Sequence, residues 1–117
     1  MIATSELAGL EALWANQLES LYDIYRAESS SDELALAAAL VEVALTEQRL
    51  GSEAAEPAVL LVADLCLARA SRILAEHAST ETQIGFARTV EDAAAAGAEG
   101  RVHPLRGRIV QLVRAAR

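Results

Sequence analysis

The longest apolar run of the chain is P-A-V-L-L-V-A-D-L-C-L-A-R-A-S-R-I-L-A-E-H-A, residues 57–78. Its apolar side chains cover more than one face of a helix, which is typical of a helix buried among other helices. Pro57 suits the first helical position, because the N–H that proline lacks has no intrahelical partner there. At about 1.5 Å per residue the helix is about 30 Å long, yet Asp64, Arg69 and Arg72 near its middle argue against a membrane span. The run therefore predicts the core helix of a helical bundle.

Two residues inside this run stand out chemically. Asp64 is flanked by leucines, and a carboxylate in an apolar setting needs hydrogen-bonding or ionic partners. We interpret it as a paired aspartate at a helix contact, with a remnant of an active site as the alternative. Cys66 is the only cysteine, so it cannot form an intrachain disulfide, and we expect it to be a small buried apolar residue.

Helical periodicity extends on both sides of the central run. A helix over residues 5–27 carries Trp14 and both tyrosines in an aromatic stripe, which suits a core and, as the alternative, a partner interface. A capping box formed by Ser30 and Glu33 predicts the start of a second helix, which ends at Leu50 before Gly51. The two apolar faces of this second helix indicate that it lies between neighbours.

Two more helices follow the central one. A capping box of Thr80 and Gln83 predicts the start of the fourth helix near Glu81. Residues 93–100, A-A-A-A-G-A-E-G, predict a fraying end and then a linker. A short fifth helix follows Pro104. With 53% hydrophobic but only 3% aromatic residues, the 117-residue chain predicts one all-α domain, a compact bundle of about five helices over residues 1–117.

Charge is distributed unevenly along the chain. Residues 1–100 hold all 17 acids and five arginines, a net charge of −12, whereas residues 101–117 hold five arginines and no acid. The acidic body, residues 1–100, argues against nucleic-acid binding, and only the basic tail, residues 101–117, favours it. We expect the tail to dock on the acidic body, and the alternative is an arm that binds diphosphate or an acidic partner through Arg101, Arg106 and Arg108. A single cysteine and no recognisable signal peptide predict a cytoplasmic protein.

Catalytic motifs are not recognisable in this sequence. No glycine-rich loop follows a strand pattern, and no serine lies in a nucleophile elbow. His77 and Glu81 are four residues apart, but the predicted helix boundary between them makes a metal site a weak hypothesis. We therefore predict a chain without a catalytic centre, metal site or cofactor of its own, and an enzyme with an unrecognised site is the alternative.

Two runs of the sequence share a family resemblance. The first is A-A-A-L-V-E-V-A-L-T, residues 37–46, which resembles the V-E-L-L-H-T-like helix that leads into the first Asp-rich motif of the trans-type polyprenyl diphosphate synthases. V-L-L-V-A-D-L-C-L-A-R-A, residues 59–70, resembles the A-V-L-x-G-D-x-L-x-A-R-A pattern of the following helix, with Ala63 where glycine is usual. The resemblance covers about a third of the chain, and it implies a truncated form of the family's helical core.

Where this sequence departs from the family, the departure bears on function. The Asp-rich motif that holds magnesium and diphosphate in the family is replaced by L-G-S-E-A-A-E-P, whose only acids are Glu53 and Glu56. The resemblance therefore implies the small, non-catalytic regulatory subunit of a heteromeric synthase. Its catalytic large subunit would carry Mg²⁺, and the pair would make long-chain polyprenyl diphosphates for quinone side chains, with the small subunit helping to set product length.

Such a subunit needs a partner interface or a lining for the isoprenoid tunnel. The candidate residues for this role are Trp14, Leu60, Leu61, Asp64, Leu65 and Leu67. A helical homodimeric interaction module with no catalytic role is the alternative to the regulatory subunit, and homo-oligomers are compatible with both interpretations.

Overall fold

The computed structural model describes residues 4–49 and 57–116, with side chains described in 14–46 and 59–116. This part of the chain forms five α-helices and no strand, so the predicted all-α bundle of about five helices is confirmed. The helices are α1 (Thr4–Glu28), α2 (Asp32–Arg49), α3 (Pro57–His77), α4 (Thr80–Ala98) and α5 (Leu105–Ala115). Among the helices that the structure describes, no candidate for a membrane span is present.

Both predicted capping boxes are displaced by one residue. Helix α2 begins after Ser31, whose Oγ accepts the Leu34 N–H at 3.2 Å, so the predicted box of Ser30 and Glu33 is wrong. Helix α4 begins after Ser79, whose Oγ accepts the Thr82 N–H at 3.1 Å, one residue before the predicted cap. A serine hydroxyl alone can accept the unpaired N–H of the first helical turn. The capping-box pattern also asks for a glutamate or glutamine three residues later, and searching for that residue placed each cap one position away from the serine that is used.

The end of α4 is ordered rather than frayed. The N–H of Arg101 donates to the carbonyl of Ala96 at 2.7 Å, and the N–H of Gly100 donates to that of Gly97 at 3.2 Å. These are the two hydrogen bonds of a Schellman motif, and Gly100 has the left-handed φ of +70° that the motif requires. The predicted fraying over residues 93–100 is therefore wrong: the helix continues to Ala98 and ends at a defined cap.

Helix α2 is the centre of the bundle. Among the described residues it is the only helix that contacts all four others. The stretch Leu34–Leu45 is buried at every position except Leu36, which is half-buried. Its alanines let neighbouring helices approach closely on all sides, as the two apolar faces of this helix predicted.

Helix α3 lies at the periphery and runs antiparallel to α2. Val43 and Val62 line the same groove at one end of the pair, and Leu34 and His77 line the same pocket at the other. The outward side of α3 is exposed, including Leu60, Leu61 and Leu65. The prediction that α3 is the buried central helix is therefore wrong, because an apolar sequence on all sides does not require neighbours on all sides within one chain.

Helix α5 closes the bundle against α1, α2 and α4. Its buried side is Leu105, Ile109 and Val113, with Leu112 half-buried beside them. Gly85 of α4 lies so close to Leu112 of α5 that a Cβ added at position 85 would clash with the Leu112 side chain. The basic helix thus docks on the acidic body.

Some predictions fall on residues that the structure does not describe. The terminating Gly51 and the acids Glu53 and Glu56 lie outside the described ranges. The side chains of the first half of α1, up to residue 13, are outside them as well.

Candidate functional site

A regular row of exposed side chains runs along α3, and we call it the outward stripe. It consists of Leu61, Leu65, Ala68, Arg72 and Ala75, which are separated by four, three, four and three residues. This is the spacing that places side chains along one seam between paired helices. All five are exposed, so the seam has no covering helix in the described part of this chain.

The N-terminal half of the outward stripe is strongly apolar. Leu61 is 45% exposed and Leu65 is 59% exposed, and Leu60 beside them is 43% exposed. Single exposed leucines are ordinary, but three within two turns of one helix form a contiguous apolar patch. Such a patch is a feature of protein–protein contact surfaces.

Charged side chains flank this patch. Asp64 is exposed and has no hydrogen bond or ion pair among the described residues, so a pairing of Asp64 at a helix contact stays a prediction. Arg72 makes a long ion pair with Glu76, 3.4 Å between Nε and Oε1, and both side chains are largely exposed. Exposed pairs of this kind contribute little stability, so Arg72 is available to another carboxylate.

An open groove lies between α1 and α3 beside the outward stripe. Its volume is about 240 Å³, and Trp14, Leu18, Leu65, Cys66 and Arg69 are among the residues that line it. Trp14 is buried, and its indole N–H has no hydrogen-bond partner in the described part of the chain. Partial burial raises the pKa of the Cys66 thiol, as expected for a mainly apolar cysteine.

The structure thus brings most of the predicted interface residues together. Leu60, Leu61, Asp64 and Leu65 share the exposed side of α3, and Trp14 reaches that side through the groove. Leu67 points elsewhere: it is half-buried and lines a different cleft of about 380 Å³ between α3 and α4, together with Phe86.

Elsewhere in the bundle three polar side chains meet, the buried Tyr25 and Glu42 and the half-exposed Arg106. The Tyr25 hydroxyl donates to Glu42 Oε1 at 2.6 Å. Arg106 donates from Nε to Glu42 Oε1 at 3.0 Å and from Nη2 to Oε2 at 2.8 Å. This two-point geometry is the strongest arrangement of a guanidinium and a carboxylate, and it joins α1, α2 and α5.

Burial decides the protonation chemistry of this cluster. Tyr25 is fully buried, and burial, reinforced by its hydrogen bond to Glu42, raises the pKa of its hydroxyl well above the usual range. The hydrogen bonds to Glu42 also raise the pKa of the Arg106 guanidinium. Tyr25 therefore remains a neutral donor and Arg106 a cation, and the cluster fastens helices instead of exchanging protons.

The arginines predicted to contact diphosphate all lie close to carboxylates. Arg106 binds Glu42, and Arg101 Nε lies 2.5 Å from Glu99 Oε2. Arg108 Nη2 lies 3.1 Å from Asp92 Oδ2 and also donates to Thr89. A further pair joins α5 to α1, with Arg114 Nε 2.6 Å from Glu28 Oε2. These contacts confirm docking of the basic helix, while binding of diphosphate by the arginines stays a prediction.

Sequence reasoning did not identify the Tyr25–Glu42–Arg106 cluster as a unit. Its members are 17 and 64 positions apart, so no local pattern links them. A usable signal was present, however: Glu42 is the sole charged residue in the run from Leu34 to Leu45. A carboxylate in the middle of a buried helix requires donors from other elements.

No group of three or more histidine, cysteine or acidic side chains in the described ranges is arranged to hold a metal ion. His77 ends α3, and Glu81 lies beyond the Ser79 cap, on the next helix. Comparisons with known proteins give no match to a family model, a curated protein or a solved structure. A function for this chain is therefore inferred from the geometry described above and from the resemblance of two helices.

Proposed function

We propose that this chain is a non-catalytic regulatory subunit that pairs with a catalytic trans-type prenyl diphosphate synthase subunit. The observation that carries the proposal is the exposed apolar patch of Leu60, Leu61 and Leu65 on α3. This patch lies on the helix whose sequence resembles the family's A-V-L-x-G-D-x-L-x-A-R-A helix. A helix that keeps a family's sequence pattern but exposes its leucines is suited to packing against a related chain.

The arrangement of α2 and α3 also supports the proposal. The two runs that carry the resemblance lie side by side as antiparallel neighbours. Glu42, the acid of the first run, binds Tyr25 and Arg106 inside the protein. Its role in this chain is thus to hold helices together, which agrees with a subunit that contributes structure and leaves chemistry to its partner.

In this proposal the cytoplasmic heteromer makes long-chain polyprenyl diphosphate, and the catalytic subunit supplies the Mg²⁺. The regulatory chain contributes apolar surface next to the growing isoprenoid tail. The groove beside Trp14 and Leu65 is the part of the described chain best suited to that contact, since it is open and mostly apolar. Product length would then depend on the side chains that border the groove.

Co-expression with a full-length prenyl synthase from the same organism tests the proposal. Size-exclusion chromatography detects a complex, and a product-length assay with isopentenyl and farnesyl diphosphates compares each chain alone with the mixture. We expect co-elution and longer products from the mixture only. Absence of both a complex and a change in product length would refute the proposal.

Variants of exposed residues locate the contact. Leu61→Glu combined with Leu65→Glu places charges in the patch and should abolish co-elution. Ile84→Glu is the matched control, because Ile84 on α4 is 47% exposed and lies away from the outward stripe. Equal loss of co-elution in both variants would contradict the assignment of the contact to α3.

A further inference from the structure

We infer that the outward stripe of α3 is self-complementary and that two copies of this chain pair through it as antiparallel helices. The inference does not require the proposed function, because the occupant is a second copy and no synthase is involved. It rests on the stripe's spacing, its exposure and the placement of two opposite charges.

The stripe has the sequence spacing of a helix-pairing seam. Leu61, Leu65, Ala68, Arg72 and Ala75 alternate at intervals of four and three, so they remain on one line as the helix turns. Ala68, at the centre, is small enough to let two helices approach closely where they cross. Leu61 and Ala75 lie seven residues before and after Ala68, so an antiparallel copy sets the leucine of each helix against the smaller alanine of the other.

Charge selects the antiparallel orientation. Asp64 lies four residues before Ala68, and Arg72 lies four residues after it. When two copies run antiparallel with their two-fold axis close to Ala68, Asp64 of each faces Arg72 of the other, which gives two opposite-charge contacts. A parallel pair in the same register would place Asp64 against Asp64 and Arg72 against Arg72, and like charges at an interface are unfavourable.

Both charges are available for these contacts. Asp64 is exposed and has no ion-pair partner among the described residues, and Arg72 is 83% exposed. The Arg72 contact with Glu76 of the same helix is 3.4 Å long and exposed, so Arg72 can exchange Glu76 for another carboxylate at little cost. Arg72 lies on the stripe and Asp64 beside it, and because both are exposed to water, their contacts determine orientation and specificity more than total affinity.

Charge reversal in the full chain tests the inference without any synthase present. Sedimentation velocity over a range of concentrations, from low to several hundred micromolar, should show a reversible dimer of the natural chain. Asp64→Arg and Arg72→Asp each create like-charge contacts and should weaken the dimer by about tenfold or more. Mixing the two single variants restores both opposite-charge contacts, so the mixture should dimerise while each variant alone remains mostly monomeric.

Two further variants complete the test. The double exchange Asp64→Arg with Arg72→Asp keeps the complementarity and should dimerise close to the natural level. Arg88→Asp on α4 changes a different exposed arginine by the same charge and should leave the dimer intact. Circular dichroism of every variant verifies that the helices are retained.

The outcomes separate this inference from the proposed function. A natural chain that is monomeric at all concentrations refutes the inference, as does a dimer that the charge reversals leave unchanged. Neither result affects co-elution with a synthase, which is measured separately. A charge-dependent dimer that shows no effect on any synthase supports the inference and counts against the proposed function.

Discussion

Helices α2 and α3 are both rich in alanine and leucine, yet they occupy opposite environments. In α2 the apolar residues face neighbours on every side, and Ala35, Ala37, Ala38 and Ala39 have no exposed surface. In α3 one side packs on α2, while Leu61 and Leu65 on the other side face outward. A sequence that is apolar on all sides therefore fits two environments: a helix enclosed by its own chain, as α2 is, or a helix with one side exposed, which we propose that another chain covers in the case of α3.

Side-chain size distinguishes the two cases. Four neighbouring helices fit around α2 because its small alanines keep the interhelical distances short. The outward leucines of α3 are large, and in the described ranges no helix of this chain covers them, although Leu65 borders the groove next to α1. The comparison predicts that substitutions in α2 will change the stability of the fold, whereas substitutions on the outward side of α3 will change association.

The largest expected effect comes from a matched pair of leucine truncations. Leu40→Ala in α2, where the side chain is 2% exposed, should lower the free energy of unfolding by about 3 kcal/mol, because it removes buried surface and leaves a cavity. Leu65→Ala in α3, where the side chain is 59% exposed, should change it by less than about 0.5 kcal/mol. Urea unfolding of dilute protein measures both, and equal losses would contradict the comparison.

Breaking the ion pair that involves α2 should cost more stability than breaking the ion pair on α3. Arg106→Gln removes the positive charge opposite the buried carboxylate of Glu42 and should lower the free energy of unfolding by about 2 kcal/mol. We expect less than for a fully buried pair because Arg106 is half exposed. Arg72→Gln removes only the exposed pair with Glu76 and should cost less than about 0.5 kcal/mol. If the two variants shifted the urea midpoint equally, burial of the carboxylate would not determine how much an ion pair stabilises this fold.

Tyr25 provides a test by pH. Tyr25→Phe removes the hydrogen bond to Glu42 and should cost about 1.5 kcal/mol near neutral pH. The pKa of Tyr25 is raised in the folded chain, so its contribution is complete below the unfolded-state pKa of about 10 and decreases as pH rises above that value. Unfolding measured from about pH 9 to about pH 11 should therefore show a smaller loss of stability in the Tyr25→Phe variant than in the natural chain. Parallel pH profiles would contradict the role of the hydroxyl.

The smallest expected effects concern two glycines, Gly100 in the cap of α4 and Gly107 in α5. A methyl group added at Gly107 would meet only open space, so Gly107→Ala should stabilise the chain by about 0.5–1 kcal/mol. Gly100 has a left-handed φ of +70°, so Gly100→Ala should destabilise it by about 1 kcal/mol. Thermal unfolding compares the two changes, and the same sign for both would contradict the cap geometry of α4.

The sequence predicted the helices well and their surroundings less well. Apolar periodicity located all five helices, and Pro57 marked the start of α3 as expected. The caps were displaced by one residue because serine hydroxyls at Ser31 and Ser79 act without the acid or amide that completes a capping box. These errors are local and leave the topology unchanged.

The candidate site was predicted only in part, for a physical reason. Leu60, Leu61 and Leu65 were predicted as interface residues and are exposed, but the same pattern also predicted that α3 is buried. Periodicity reports which side of a helix is apolar and cannot report whether the apolar partner belongs to the same chain. Contacts such as Tyr25 with Glu42 depend on how distant helices meet, which the local pattern does not contain.

Thiol labelling tests the contrast between the two helices most directly. In a Cys66→Ser background, Ala38→Cys places a thiol in α2 at a fully buried position, and Ala68→Cys places one at the centre of the outward stripe. Ala68→Cys changes an exposed position, whereas Ala38→Cys adds a sulfur atom at a close-packed one, so circular dichroism of both variants verifies that the helices are retained. We expect the thiol at position 38 to react slowly at every protein concentration. The thiol at position 68 should react rapidly in dilute protein and become protected as the concentration rises. Slow reaction at position 68 in dilute protein, or rapid reaction that concentration does not change, would contradict the contrast between α2 and α3.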